Sequence, residues 1–96
     1  MKSKKTWEEA LRNFKLKLDS QEPVFVISVV SEMVHIPIWT LRKLDEMGVV
    51  QPKRLGKRIR CYSQKQIETL SYVYYLMEER GVNISGIKMI LEIREE

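Results

Sequence analysis

The fold is decided by residues 27–63, ISVVSEMVHIPIWTLRKLDEMGVVQPKRLGKRIRCYS. The first half of this stretch predicts two helices, over residues 29–34 and 38–47, separated by the break His35-Ile36-Pro37. Gly48 is placed as the left-handed residue that ends the second helix. His35 is expected to be a turn residue that tolerates left-handed dihedral angles. Two helices joined by such a short break are typical of a helix-turn-helix.

The second half predicts a small β-hairpin. Val49-Val50 and residues 59–62 have strand character, and Leu55-Gly56-Lys57 supplies a turn containing glycine. No acidic residue lies between Gln51 and Glu68, so the cations of the hairpin are expected to have no counter-charge. A two-stranded hairpin buries little, and its charges are therefore expected to face solvent or phosphate groups. These cations are Lys53, Arg54, Lys57, Arg58 and Arg60.

Helical patterns flank the stretch on both sides. Before it, Thr6 and Glu9 form a capping box in front of an apolar stripe with helical spacing. Ser28 is expected to cap the helix over residues 29–34, and the residues just before it to be extended. The apolar stripe consists of Trp7, Leu11, Phe14 and Leu18.

Two further helices follow the hairpin. Ser63 and Gln66 form a second capping box, and the helix that they begin is expected to end at Gly81. Asn83 caps a fourth helix. The predicted fold is mainly α with a small β-hairpin, a winged helix-turn-helix preceded by an extra N-terminal amphipathic helix. We divide the chain into a basic, amphipathic helical extension, residues 1–22, and a winged helix-turn-helix DNA-binding domain, residues 23–96.

Composition narrows the function. The 96 residues carry a formal net charge of +4, which favours an anionic partner, with nucleic acid ahead of a membrane surface. No apolar run is long enough to span a membrane, and the single cysteine, Cys61, excludes an internal disulfide or a cysteine-built zinc site. No catalytic set and no phosphate-binding glycine loop is present, so we expect neither an enzyme nor a cofactor.

Four segments, in order and properly spaced, resemble the MerR family of winged-helix repressors and activators. They are ISVVSEMVHIPIWTLR at 27–42, EMGVV at 46–50, RCYS at 60–63 and GVNISGIKMIL at 81–91. Within the family they are most similar to the heat-shock repressor HspR subgroup. The resemblance covers residues 24–93. It implies a cytoplasmic, prokaryotic, nucleoid-associated repressor that binds inverted-repeat operators as a homodimer, with the chaperone DnaK as co-repressor.

The resemblance also implies residue roles. The family's recognition helix corresponds to residues 38–47, which enter the major groove. The family's wing corresponds to the predicted hairpin, which lies on the phosphate backbone. Lys43 stands where the family has an aromatic residue and can supply a charge there. Trp39 is either a core residue or an exposed apolar contact for a base methyl group. The expected DNA contacts are Trp39, Thr40, Arg42 and Lys43 on the helix, and Lys53, Arg54, Lys57, Arg58, Arg60 and Tyr62 on the wing.

Dimerisation is the point at which the chain departs most from that pattern. The sequence ends at Glu96, where the family continues into a dimerising helix, so another surface is expected to join two copies. The N-terminal stripe of Trp7, Leu11, Phe14 and Leu18 is covered either by the third and fourth helices of its own protomer or by a partner. A second candidate surface is formed by Ile87, Ile90 and Leu91.

Two other functions stay open at this stage. One is an architectural DNA-binding factor of the excisionase type, which shares the winged fold. The other is a protein-interaction adaptor whose basic wing meets an acidic protein surface.

Overall fold

The computed structural model describes residues 21–94, which form four helices and a small three-stranded antiparallel sheet. The expected mainly α fold with a small β-hairpin is confirmed for these residues, and the expected N-terminal helix is not tested by them. The N-terminal stripe from Trp7 to Leu18 lies outside the described residues. In chain order the elements are β1 (Phe25–Val26), α1 (Ile27–Val34), α2 (Ile38–Glu46), β2 (Lys53–Leu55), β3 (Ile59–Tyr62), α3 (Gln64–Glu78) and α4 (Ile84–Arg94).

The helix-turn-helix is formed by α1 and α2. His35 ends α1 with φ 60° and ψ 33°, which confirms the left-handed turn residue. The hydroxyl of Ser31 donates a 2.6 Å hydrogen bond to the carbonyl of Ile36 and holds the turn against α1. Pro37 begins α2 without a side-chain cap, and its carbonyl accepts the first hydrogen bonds of that helix.

The expected cap at Ser28 is wrong. Helix α1 begins at Ile27, and its N-cap residue is Val26, which has extended backbone angles and makes no side-chain cap hydrogen bond. Val26 occupies this position because β1 pairs with β3, so that Phe25 faces Tyr62 and Val26 faces Cys61. The chain therefore leaves the sheet directly into the helix, and Ser28 falls within the first helical turn.

The sheet has the order β1-β3-β2, with β3 in the centre. The hairpin is confirmed, but its first strand is Lys53–Leu55 rather than Val49-Val50. The amides of Val49 and Val50 instead donate hydrogen bonds to the carbonyl of Leu44, which holds both residues at the end of α2. Val50 is buried in the core, which accounts for its apolar character without a strand.

The predicted caps of the last two helices are confirmed. The hydroxyl of Ser63 accepts from the amide of Gln66 at 3.1 Å, and the Gln66 side chain accepts from the amide of Ser63 at 3.0 Å. The side chain of Asn83 accepts from the amide of Gly86 at 2.8 Å at the start of α4. These caps satisfy backbone donors that the first turns of α3 and α4 would otherwise leave without partners.

One hydrophobic core receives side chains from all four described helices and from β3. Ile87 of α4 is fully buried in it, and Ile90 and Leu91 are half-buried and pack against it. The expectation that Ile87 meets a partner chain is therefore wrong, because the core of its own protomer already covers it. The apolar residues that α4 exposes are Met89 and Ile93. The buried set is Val30, Val34, Ile36, Leu41, Leu44, Val50, Tyr62, Leu70, Val73, Leu76 and Ile87.

Candidate nucleic-acid interface

Helix α2 presents one face to the core and one to solvent. Its exposed residues follow the i, i+3, i+4, i+7 spacing of a single helical face. Trp39 is 73% exposed, which settles the alternatives for this residue in favour of an exposed side chain. The exposed face consists of Trp39, Arg42, Lys43 and Glu46.

Thr40 lies on the opposite face. It is buried beside Leu41 and Leu44, where the helix packs on the core. The expectation that its side chain contacts DNA is corrected by this burial, since no more than 4% of the residue is accessible. The neighbouring residues in the sequence did not indicate that Thr40 is buried, because a threonine fits either face of a half-buried helix.

The hairpin of β2 and β3 forms the wing. Arg54 pairs with Arg60, so these two side chains leave the same face of the hairpin, while Leu55 and Ile59 pair on the other face. Lys53, Lys57 and Arg58 are exposed, and within residues 21–94 no ion pair involves any of these three. They are available to an anionic partner in the described conformation.

Asp45 joins the wing to α2, and this residue was not singled out by the sequence. Its Oδ2 accepts from Nε of Arg60 at 2.7 Å and from Nη2 of Arg54 at 3.3 Å. The expectation that the wing cations have no counter-charge is therefore wrong for these two arginines. One signal was present: Asp45 follows Leu44 on the buried side of the helix, and a buried aspartate requires a partner.

Tyr62 lies below this ion pair in the core. Its side chain is fully buried, and no described group forms a hydrogen bond with its hydroxyl. Burial, and secondly the negative charge of Asp45, raise the pKa of Tyr62 to about 12, although Arg60 and Arg54 act in the opposite direction. The expected contact between Tyr62 and DNA is corrected, because this hydroxyl does not reach the surface.

The geometry suits a duplex nucleic acid. An α-helix fits the major groove, where an arginine can form two hydrogen bonds to the edge of guanine. Cations on a neighbouring hairpin suit phosphates, whose contacts set the register of a protein on the duplex. The described part of the chain contains no group of His, Cys, Asp and Glu residues suited to a metal ion, and none of its helices is long and apolar enough to cross a membrane.

Comparison with known proteins gives the same picture. A family model described as MerR HTH family regulatory protein matches residues 25–93. The chain is 39% identical over 80 residues to the heat shock protein HspR of Streptomyces coelicolor, which is 83% of this chain and 53% of that protein. It is 27% identical over 73 residues to the HTH-type transcriptional regulator GlnR of Bacillus anthracis, which is 76% of this chain and 56% of that protein. GlnR of Bacillus cereus matches equally well. The chain spans about half the length of these relatives.

Proposed function

This chain belongs to the MerR family of helix-turn-helix regulatory proteins, and we propose that it is a DNA-binding transcriptional repressor of the HspR kind. In this proposal α2 enters the major groove of an inverted-repeat operator, and the wing lies on the phosphate backbone. The observation that carries the proposal is the exposed face of α2, with Trp39, Arg42 and Lys43, beside a wing with three cations outside any described ion pair.

The two elements have different tasks. Arg42 is the group on α2 that hydrogen-bonds base edges, because an arginine reaches the O6 and N7 acceptors of guanine in the major groove. Trp39 supplies an apolar contact for a thymine methyl group. Lys43 and the exposed wing cations contact phosphates, which adds affinity without sequence preference.

Repression is proposed from the resemblance to the relatives, and the symmetric operator from the small number of base pairs that one recognition helix reads. The resemblance to the heat-shock repressor HspR subgroup implies regulation of chaperone genes with DnaK as co-repressor, and the 39% identity to the protein named heat shock protein HspR supports that resemblance. One recognition helix reads only a few base pairs, so useful specificity requires two half-sites read by a homodimer. We infer that the protein acts on DNA in the bacterial cytoplasm. A rise in operator affinity on addition of purified DnaK is the expected sign of the co-repressor.

Competition binding tests the proposal against an adaptor function. A labelled duplex is bound by the protein, and unlabelled duplex or polyglutamate of equal total charge is added. We expect duplex DNA to displace the probe and polyglutamate to leave it bound. The reason is that only a duplex offers a major groove for α2 and, at the same time, phosphates at the position of the wing. Displacement by polyglutamate as efficient as that by DNA would instead assign the basic wing to an acidic protein surface.

Footprinting then separates the repressor from an architectural factor. Two protected half-sites in inverted orientation are expected for the repressor. Head-to-tail protection accompanied by DNA bending would assign the excisionase-like function.

A further inference from the structure

Asp45 is a bridge between the two elements that the proposed function assigns to DNA. It lies in the last turn of α2, and its carboxylate bonds two arginines of the wing. The contact is partly buried, since the Asp45 side chain is only 11% exposed. If the wing moved away with both arginines, the buried carboxylate of Asp45 would have no compensating charge. The free-energy cost of that state keeps the wing against the helix.

The two arginines are held differently. Arg60 is 15% exposed and donates at 2.7 Å, so it acts as a fixed strut between β3 and α2. Arg54 is 44% exposed and donates at 3.3 Å, so it is the weaker and more accessible partner. Because Arg54 and Arg60 are paired across the hairpin, their like charges repel, and Asp45 offsets that repulsion.

We propose that Asp45 is a positioning residue that determines sequence specificity by coupling the wing to the recognition helix. This inference rests on the proposed function. A wing free to move could bind phosphates of any duplex in many orientations. A wing held by Asp45 brings its cations to phosphates only where α2 lies in the major groove. The ion pair with Asp45 also reduces the contacts that Arg54 can make with the phosphates of DNA lacking the operator sequence.

Asp45→Asn tests this role while keeping the size of the side chain. An operator is first obtained by selection from a random duplex pool. Affinities for this operator and for a random-sequence duplex are then measured over a range of salt concentrations. We expect the variant to bind the random duplex more tightly, with a salt slope steeper by about 1 to 2 because one or two arginines become available to phosphates. We expect the ratio of operator affinity to random affinity to fall by about tenfold. A parallel fall of both affinities, or an unchanged ratio, would overturn the proposal.

Glu32→Gln is the matched control. Glu32 is an exposed residue of α1, and its substitution removes the same negative charge without touching the ion pair. We expect this variant to raise both affinities equally and to leave their ratio unchanged. If it lowers the ratio as much as Asp45→Asn does, general electrostatics would explain the effect and the proposal fails.

A second pair of variants keeps the proposal testable if Asp45→Asn does not fold, as judged by circular dichroism. Arg54→Gln and Arg58→Gln each remove one wing cation, but only Arg54 is held by Asp45. On random duplex we expect Arg58→Gln to reduce the salt slope by about 0.9 and Arg54→Gln to reduce it by less than half as much. Equal reductions would overturn the proposal. This comparison needs no operator, so it tests whether Asp45 keeps Arg54 from phosphates separately from the sequence preference of the wild type, and a failure here is distinguishable from a failure of the proposed function.

Discussion

The hydroxyl of Tyr62 is buried in the core without a hydrogen-bonding partner among the described residues. Burial first and Asp45 second raise its pKa from 10.0 to about 12. A raised pKa means that the fold favours the neutral phenol. Below pH 10 Tyr62 is neutral in both states, so the folded protein keeps its full unfolding free energy. As the pH rises towards 12, the unfolded chain ionises Tyr62 first, and the unfolding free energy falls.

Tyr62→Phe is expected to abolish that part of the pH dependence. Between pH 10 and pH 12 the wild type should lose about 2 to 3 kcal/mol of unfolding free energy more than the variant, at about 1.4 kcal/mol per pKa unit. Urea unfolding of both proteins across this window measures the difference. At neutral pH the variant should be at least as stable as the wild type, since a hydroxyl without a partner contributes nothing favourable. Parallel profiles for the two proteins would place the Tyr62 hydroxyl in contact with solvent.

Arg42→Ala and Arg58→Ala are expected to differ in kind. Arg42 lies on the exposed face of α2, so its loss should change sequence preference and cost about 1–3 kcal/mol at one position of the site. Arg58 lies on the wing, so its loss should weaken binding to all sequences alike. Affinities for a panel of single-base operator variants distinguish the two. If wild type and Arg42→Ala rank the panel identically, Arg42 does not read bases.

Residues whose role depends on local backbone were the ones that the sequence predicted well. His35 and Gly48 both have positive φ, 60° and 76°, because each ends a helix where the chain must reverse. Thr40, Tyr62 and Asp45 were missed because their surroundings come from distant parts of the chain. A threonine, a tyrosine and an aspartate can each lie on a surface or in a core, and only packing decides.

At the scale of elements, the junction between the wing and α3 depends on the Ser63 capping box. Ser63→Ala removes the acceptor for the Gln66 amide and is expected to lower the unfolding free energy by about 1 kcal/mol. Ser71→Ala is the matched control, because Ser71 is exposed within the same helix and its hydroxyl only bonds the carbonyl of Ile67. We expect that control to be neutral or slightly stabilising. Chemical denaturation of both variants gives the comparison, and equal losses would show that the cap adds nothing.

The wing predicts a steep dependence of DNA binding on salt. Helix α2 and the wing together carry four exposed lysines and arginines besides Arg54 in the Asp45 ion pair and Arg42 at the base-reading position. If each of the four neutralises one phosphate, log K should fall with log salt at a slope of about −4 per protomer. These residues are Lys43, Lys53, Lys57 and Arg58. Fluorescence anisotropy with a random duplex at several salt concentrations measures the slope. A slope shallower than about −1 would remove the wing from DNA binding.

The elements themselves were largely predictable, but their pairing was not. Helical spacing and capping residues placed all four described helices within a few residues. The sheet was harder, because the charged residues of β2 have low strand propensity and the apolar Val49-Val50 belongs to the end of α2. The pairing of β1 with β3 joins residues far apart in the chain, and no local pattern indicates it.

At the scale of the whole molecule, the homodimer remains a prediction. The stripe of Trp7, Leu11, Phe14 and Leu18 lies outside the described residues, and Ile87 is in the core. Met89 and Ile93 are 63% and 66% exposed on α4, so they form the second candidate surface in its place. Analytical ultracentrifugation of wild type, Trp7→Ala/Phe14→Ala and Met89→Ser/Ile93→Ser is expected to show a wild-type dimer that one double substitution dissociates.

Circular dichroism of each variant controls for folding. A wild-type monomer at high protein concentration would confine pairing to the DNA-bound state. A dimer that survives both double substitutions would place the interface on neither surface.

Selection from a random duplex pool measures whether the protein binds duplex DNA with sequence specificity. The wild-type chain is incubated with the pool, bound DNA is recovered, and the cycle is repeated before sequencing. We expect enrichment of two inverted half-sites with their centres about one helical turn apart, and loss of information at one position of each half-site when Arg42→Ala is used. A pool that is retained by the protein but keeps its random sequence through all cycles would contradict the assignment.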